Sequence, residues 1–292
     1  MSINSGCYPA TVLTTQSHQI STRILSKYPY VTIIMASASE TRPDTKVTLP
    51  EMFYFTKTVH HEAYDKISPL RPELSAQGKN ILVTGGGTGI GKSIALEFAR
   101  AKAKSVTILG RRRTHLEEAE KEIAAGRTDQ ATTVLFVAAD LMKPEDVERA
   151  FQTVYSRVGY IDVLVSNAAA MSAGGPLSSY EPEVFMHGFN LNVLSAFNAV
   201  QAFLPLAGPK PMIINISTAL AHFAPMAGAG SYAISKAANL KMMNYFAVEN
   251  PDLHVVNVQP GTVTTDMSAQ VGVEATDTGT SCRACENSSK VC

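Results

Sequence analysis

Charge imbalance is absent from this chain: Lys plus Arg and Asp plus Glu number 25 each, so the formal net charge is zero. Nothing in that balance points to a nucleic-acid or membrane-surface partner. Long apolar runs are also missing. None approaches the roughly eighteen residues that a spanning helix needs, so the sequence predicts a soluble body and no membrane partner. Cysteine is scarce and peripheral, with Cys7, Cys282, Cys285 and Cys292 all near the termini. A disulfide framework is therefore not what holds the core, which fits a reducing, cytoplasmic compartment. One Cys-x-x-Cys and a distant third cysteine make a poor zinc site, and no metal is expected. Residues 1–39 lack Asp and Glu altogether and carry only Arg23 and Lys27 as fixed side-chain charges. They read either as a mitochondrial targeting segment or as an unstructured upstream extension, with Met35 as an alternative start.

What is present suffices for a core. A chain of 292 residues with 45% apolar and 17% charged side chains can bury one large core or two modest ones. Over 40–77, prolines at 43, 50, 69 and 72 and the lack of any period predict an irregular leader. From residue 78 two patterns alternate. Short β-rich runs lie at 80–84, 105–109, 132–138, 161–165, 212–217 and 253–258, and helical segments at 90–102, 114–125, 144–158, 181–204 and 231–249. Six strands separated by five helices predict one α/β domain over 78–267, a doubly wound parallel sheet with right-handed crossovers. Ligands bind such sheets at the carboxyl ends of the strands. Residues 268–292 read as a polar tail.

The first strand runs into Thr84-Gly-Gly-Gly-Thr-Gly-Ile-Gly91 and then a helix. Glycines allow a tight turn and close approach of backbone N–H groups to phosphate, and the helix N-terminus adds its positive dipole end. Gly85, Gly89, Ile90 and Gly91 are the candidate contacts. The glycines at 85, 87 and 89 follow dinucleotide-type spacing. Residues 86–93 also satisfy the Walker A pattern, ending Gly91-Lys92-Ser93, with 136–140 as a Walker B strand, so a nucleotide hydrolase is a rival. After the second strand stands Gly110-Arg111-Arg112-Arg113 with no acid nearby. An acid there would suit the ribose of NAD, whereas an arginine suits the 2′-phosphate of NADP. NADP is favoured, with Arg111 as its contact; the competing reading is a basic, solvated helix start.

Further along, Tyr232 and Lys236 stand four residues apart in a helical segment, one turn apart on one face. A lysine beside a tyrosine favours the phenolate and is expected to pull down a pKa that is about 10 when unperturbed, giving a proton-transfer group usable near neutral pH.

Taken as an ordered set, Thr84–Gly91, Ser166-Asn167-Ala168-Ala169, Asn192, Ser217-Thr218, Tyr232-x-x-x-Lys236 and Pro260-Gly261-Thr262-Val263-Thr264-Thr265 resemble the short-chain dehydrogenase/reductase family over roughly two thirds of the chain. The segment 55–61 and the run 249–260 resemble members from filamentous fungi, which suggests a place in secondary-metabolite biosynthesis. The resemblance implies an NADP-dependent enzyme that moves hydride between nicotinamide and a small carbonyl or alcohol substrate. In it Tyr232 is the acid/base, and Lys236 holds the nicotinamide ribose and lowers the tyrosine pKa. Asn192 matches the family's active-site asparagine, which holds a water leading from the lysine to solvent; on the residues alone it reads equally as a polar group fixing a helix bend. Asp140 matches the adenine contact, Asn167 the residue that fixes the cofactor side of the sheet, and Val263 and Thr265 the loop that meets the carboxamide.

Two departures stand out. The family's carbonyl-orienting hydroxyl lies thirteen residues before the tyrosine, where this chain has Ala219; Thr218 and Ser217 are the candidates, with Thr218 narrowly favoured. The family continues after the Pro-Gly loop with substrate-covering helices and a seventh strand, whereas 268–292 shows no period. A cofactor-binding scaffold impaired in catalysis is thus an alternative function, and dimerisation through the long helices is expected to compensate in part for an exposed sheet edge.

Overall fold

The structure is a computed structural model that describes residues 64–171, 174–222, 225–261, 263 and 265–267. The expected extension over 1–39, most of the leader and the cysteine-bearing tail lie outside the described residues.

Short runs of β-branched and aliphatic residues form β1 (Asn80–Thr84), β2 (Ser105–Gly110), β3 (Thr133–Ala138), β4 (Ile161–Ser166), β5 (Ala207–Ile216) and β6 (His254–Val258). All pairings are parallel, in the order β3-β2-β1-β4-β5-β6. Between them run α1 (Gly89–Arg100), α2 (Arg113–Gly126), α3 (Pro144–Val158), α4 (Pro182–Phe189), α5 (Ser195–Phe203) and α6 (Gly230–Glu249). Local chemistry sets several of these ends. Helix α3 opens on Pro144 with Glu145 and Asp146 in its first turn and stops at Gly159, whose φ of 86° an L side chain rarely adopts.

This is the doubly wound sheet that the alternation of patterns predicts. Every residue of β1 is buried, as a central parallel strand covered on both faces requires. Ile81 and Val83 pack with Ala95 and Ala99 of α1 and Leu116 and Ile123 of α2. On the other face Leu82 and Leu164 pack with Phe151 of α3, Phe203 of α5 and Met243 of α6.

Two expectations need correction. β5 starts at Ala207, five residues before the expected start at 212, with Ile161 pairing Ala207 and a register shift before Met212. Gly208, Pro209 and Pro211 disguise this part of the strand, because proline is excluded from interior ladders but tolerated at an irregularity. The helix expected over 181–204 is interrupted. A π turn at Asn190–Leu194 separates α4 from α5, although the backbone stays in the right-handed helical region at both junctions. Hydrophobic periodicity cannot register a single widened turn.

Among the described residues β6 is the outer strand on its side of the sheet. A chain of amides secures it: Asn215 Nδ2 of β5 donates to Asn257 Oδ1 of β6 at 2.9 Å, and Asn257 Nδ2 donates to Asn244 Oδ1 of α6 at 3.3 Å. The described part of the leader makes two 3-10 turns, Asp65–Ile67 and Pro72–Leu74, before Ala76 N donates to Ala101 O at 2.8 Å.

Candidate active site

The carboxyl end of β1 is fastened to its neighbour by one hydroxyl. Thr84 Oγ1 donates to Val165 O at 3.1 Å and accepts from Asn167 N at 3.0 Å and Ala168 N at 3.1 Å. Asn167 Nδ2 returns to Thr84 O at 2.9 Å and Gly85 O at 3.3 Å. This clasp makes the following turn so close that side chains are excluded. A Cβ on Gly85, where φ is 66°, would lie 2.9 Å from Ala168 Cα and from Asn167 Nδ2. A Cβ on Gly91 would drive into the Gly85 carbonyl and Asn167 Nδ2. Gly89, with φ 53°, lies under Thr265, whose methyl is 3.1 Å from where a Cβ would stand. Ile90 is half-buried beside it at the start of α1. Such a backbone cradle at a helix N-terminus fits a pyrophosphate. Thr84, which sequence reading treated only as part of the motif, is what sets its shape.

The Walker A alternative fails here. Lys92 Nζ is paired with Glu122 Oε2 of α2 at 2.7 Å, so the ammonium belongs to the α1–α2 surface and not to the glycine turn. The strand order is also that of the dinucleotide-binding fold.

The three arginines after β2 have different surroundings. Arg113 is committed, with Nε on Glu117 Oε1 at 2.7 Å and its guanidinium 5.2 Å from the Phe136 ring centroid. Arg111 is exposed and has no partner among the described residues. Asp140, half-buried just past β3, takes Met142 N on Oδ1 at 3.1 Å. Val263 and Thr265 are both half-buried.

The second cluster surrounds helix α6. Lys236 is 5% exposed and its Nζ donates to Ile216 O, the last residue of β5, at 2.6 Å. Burial pushes the Tyr232 phenol up to about 12 and the Lys236 ammonium down to about 8. This corrects the expectation that Lys236 lowers the tyrosine. The ammonium is engaged by the Ile216 carbonyl, and loss of water, which disfavours the charged form of each group, governs both shifts. Tyr232 consequently holds its proton at neutral pH.

Asn192 sits in the π turn, 1% exposed. Its Oδ1 accepts from Ala170 N at 2.8 Å, and its Nδ2 donates to Ala170 O and to Ser235 Oγ, both at 2.9 Å. Ser235 Oγ in turn donates to Tyr232 O at 2.7 Å. Of the two hydroxyl candidates, Thr218 Oγ1 accepts from Leu220 N at 3.4 Å, capping a short 3-10 turn and leaving its own proton free to donate. Ser217 N continues the β5–β6 ladder to Val258 O at 2.8 Å, while its hydroxyl is buried without a partner among the described residues. The geometry thus brings Tyr232, Lys236 and Asn192 together with the β5 end. Ser235 and Asn239, which sequence reading missed, belong to the same network; their signal was the four-residue recurrence of Ser231, Ser235 and Asn239 along α6. Among the described residues there is no cluster of metal-ligating side chains and no helix long and apolar enough to cross a membrane.

The buried lysine has a consequence for stability. Its folded pKa of about 8 lies below the unfolded value of ~10.4, so the unfolded chain holds more protons between these values. Stability should therefore rise as pH increases through that window and fall as pH drops through 8. Tyr232 acts in the opposite sense above pH ~10. Urea titrations between pH 7 and ~10 should show this rise in the wild type and a flatter profile in Lys236→Met. Equal slopes in the two proteins would contradict the assignment of a buried, titrating lysine.

The profile of the short chain dehydrogenases matches residues 79–275. A short chain dehydrogenase/reductase of Claviceps purpurea is 33% identical over 221 residues, covering 74% of this chain and 73% of its own. The nsrO short chain dehydrogenase/reductase of Aspergillus novofumigatus is also 33% identical, covering 74% of both chains. Among solved structures, a short chain dehydrogenase of Burkholderia cenocepacia in complex with NADP is 31% identical with a TM-score of 0.60, covering 66% of this chain and 77% of that one. An alcohol dehydrogenase of Thermococcus sibiricus complexed with 5-hydroxy-NADP is 26% identical with a TM-score of 0.58, covering 63% and 77%. The profile match and the fungal relatives agree with the fold and with the order of the motifs, and this chain belongs to the short-chain dehydrogenase/reductase family of oxidoreductases.

Proposed function

We propose that the chain is an NADPH-dependent carbonyl reductase, running in reverse as an alcohol dehydrogenase, with Tyr232 as its proton donor. The observation that carries this reading is the Tyr232–Lys236 turn, whose lysine is buried and bonded to the end of β5 and whose phenol keeps its proton at neutral pH. Reduction of a carbonyl needs a proton at the oxygen; Tyr232 holds one at neutral pH, and the positive charge of Lys236 favours its release against the burial that makes the phenol a weaker acid. Thr218 Oγ1 retains a free proton with which to orient that oxygen, whereas the Ser217 hydroxyl is more deeply buried. Lys236, held by Ile216 O, supplies positive charge beside the site, and its ammonium has further protons for the ribose.

The residues present fit a dinucleotide. Gly85, Gly89 and Gly91 leave room for a pyrophosphate, Asp140 retains acceptor capacity for an adenine amino group, and Arg111 is available for a 2′-phosphate. When bound, NADPH would supply the hydride. Two similar solved structures that contain NADP or 5-hydroxy-NADP support this choice. The fungal relatives support a substrate drawn from secondary metabolism.

Four variants test the reading. Tyr232→Phe should lower ketone reduction by at least ~100-fold while NADPH affinity, measured by calorimetry, stays within a few-fold of wild type; undiminished turnover would sink the mechanism. Thr218→Val should cost kcat more than Ser217→Ala does, and the reverse order would transfer the orienting role to Ser217. Arg111→Ala should weaken NADPH by roughly tenfold, a charge-assisted contact of the usual size, with little effect on NADH. Equal weakening of the two cofactors would remove the 2′-phosphate assignment.

A further inference from the structure

Helix α6 buries a polar face. Ser231, Ser235, Lys236 and Asn239 are each 5% exposed or less, while Ile234, Tyr245 and Val248 of the same helix are exposed. A surface helix ordinarily does the opposite, so each buried polar group needs a reason. Tyr232 and Lys236 have theirs in the proposed reaction, and Ser235 joins Asn192 to Tyr232. Ser231, whose hydroxyl is buried with no partner among the described residues, and Asn239 are left over, and of the two it is Asn239 that hydrogen-bonds to the π turn.

Its amide is only half satisfied. Nδ2 donates to Asn192 O at 2.9 Å, and Oδ1 is buried with no partner among the described residues. Leaving a buried amide oxygen unpaired is costly, and leucine, similar in size, would remove that oxygen for the loss of one hydrogen bond. Its surviving bond goes to the one residue in the π turn whose side chain holds two other segments, at Ala170 and Ser235. A π turn disturbs the regular i→i+4 ladder, and such turns recur at functional sites.

We infer that Asn239 is a positioning residue for the reaction: by holding the Asn192 carbonyl it fixes the π turn, so that the Asn192 amide keeps the Ala170 backbone and the Ser235 hydroxyl in place, and Ser235 sets the turn that carries Tyr232. Asn239 touches no reacting atom and acts only through Asn192. The inference rests on the proposed reductase reading.

The test uses the full chain, two variants of Asn239, Asn192→Ala and its combination with each. Asn239→Leu removes both amide ends, and Asn239→Asp keeps size and polarity but lacks the donor, so a folding failure in one leaves the other. The first readout needs no turnover. Exchange of the Ala170 amide, which donates to Asn192 Oδ1, should quicken about tenfold or more, while the Ser217 amide on the β5–β6 ladder remains unchanged. The second readout is reduction of acetophenone and of an aromatic diketone with NADPH. The variants should lose ~10- to 100-fold in kcat with calorimetric NADPH affinity near wild type. Adding either change to Asn192→Ala should cost nothing more, because the residue through which Asn239 acts is already disabled. Unchanged Ala170 exchange, unchanged kcat, or a loss that adds to that of Asn192→Ala would each overturn the inference. Failure of the underlying reading appears separately, as turnover in the wild type that does not depend on Tyr232.

Discussion

The hydrogen bond from the Lys236 ammonium to the Ile216 carbonyl is the interaction on which the site depends. It joins a helix to the end of a strand, and it draws a charged group into a place where water is nearly absent. A buried ammonium is tolerated only when its protons have acceptors. Around this one bond the polar face of α6 is packed against the π turn at Asn190–Leu194 and the end of β5, where Asn192 donates to Ser235 and Asn239 donates to the Asn192 carbonyl. Buried polar groups hold this region together through hydrogen bonds, while the Ser217 and Ser231 hydroxyls and Asn239 Oδ1 have no partner among the described residues. That makes it sensitive to single deletions, since a half-satisfied buried network is worse than none.

The cofactor side of the molecule is governed by a different constraint, steric closeness. Thr84 draws the ends of β1 and β4 together, and the backbone of the glycine turn then lies within van der Waals distance of Asn167 and Ala168. The two halves of the site are therefore built in different ways. One is a cradle of backbone with side chains excluded, and the other is a cluster of polar side chains with water excluded. The central strands connect them, and the apolar packing on both sheet faces, with Phe151 and Phe203 on one and Ile108 and Ile123 on the other, gives them a rigid frame.

Desolvation also divides the roles of Tyr232 and Lys236. The same loss of water raises the phenol and lowers the ammonium, so both groups lean toward their neutral forms. For a phenol that means a proton retained at neutral pH but held more tightly, which the nearby positive charge of Lys236 opposes. For a lysine it means a charge kept in place at neutral pH by only about one unit, and so a stability that rises with pH between about 8 and ~10.4.

Much of this was legible in the chain itself. The alternation of short β-rich runs with helical segments predicted the doubly wound parallel sheet because each pattern reflects local burial. The glycine turn, the Tyr232–Lys236 spacing and the arginines after β2 were readable because backbone conformation and side-chain period are local properties. Sequence alone left the Walker A reading open, overlooked the proline-bearing start of β5, drew 181–204 as one uninterrupted helix, and expected Lys236 to depress the tyrosine. Each of these was decided by tertiary structure: Glu122 claims Lys92, Ile161 recruits Ala207 to the sheet, Asn239 reaches across to the π turn, and burial outweighs the lysine's charge. The sequence by itself determined which residues form which elements. Which buried groups meet, and how much water each loses, depends on distances between segments far apart in the chain, and only the folded structure sets those.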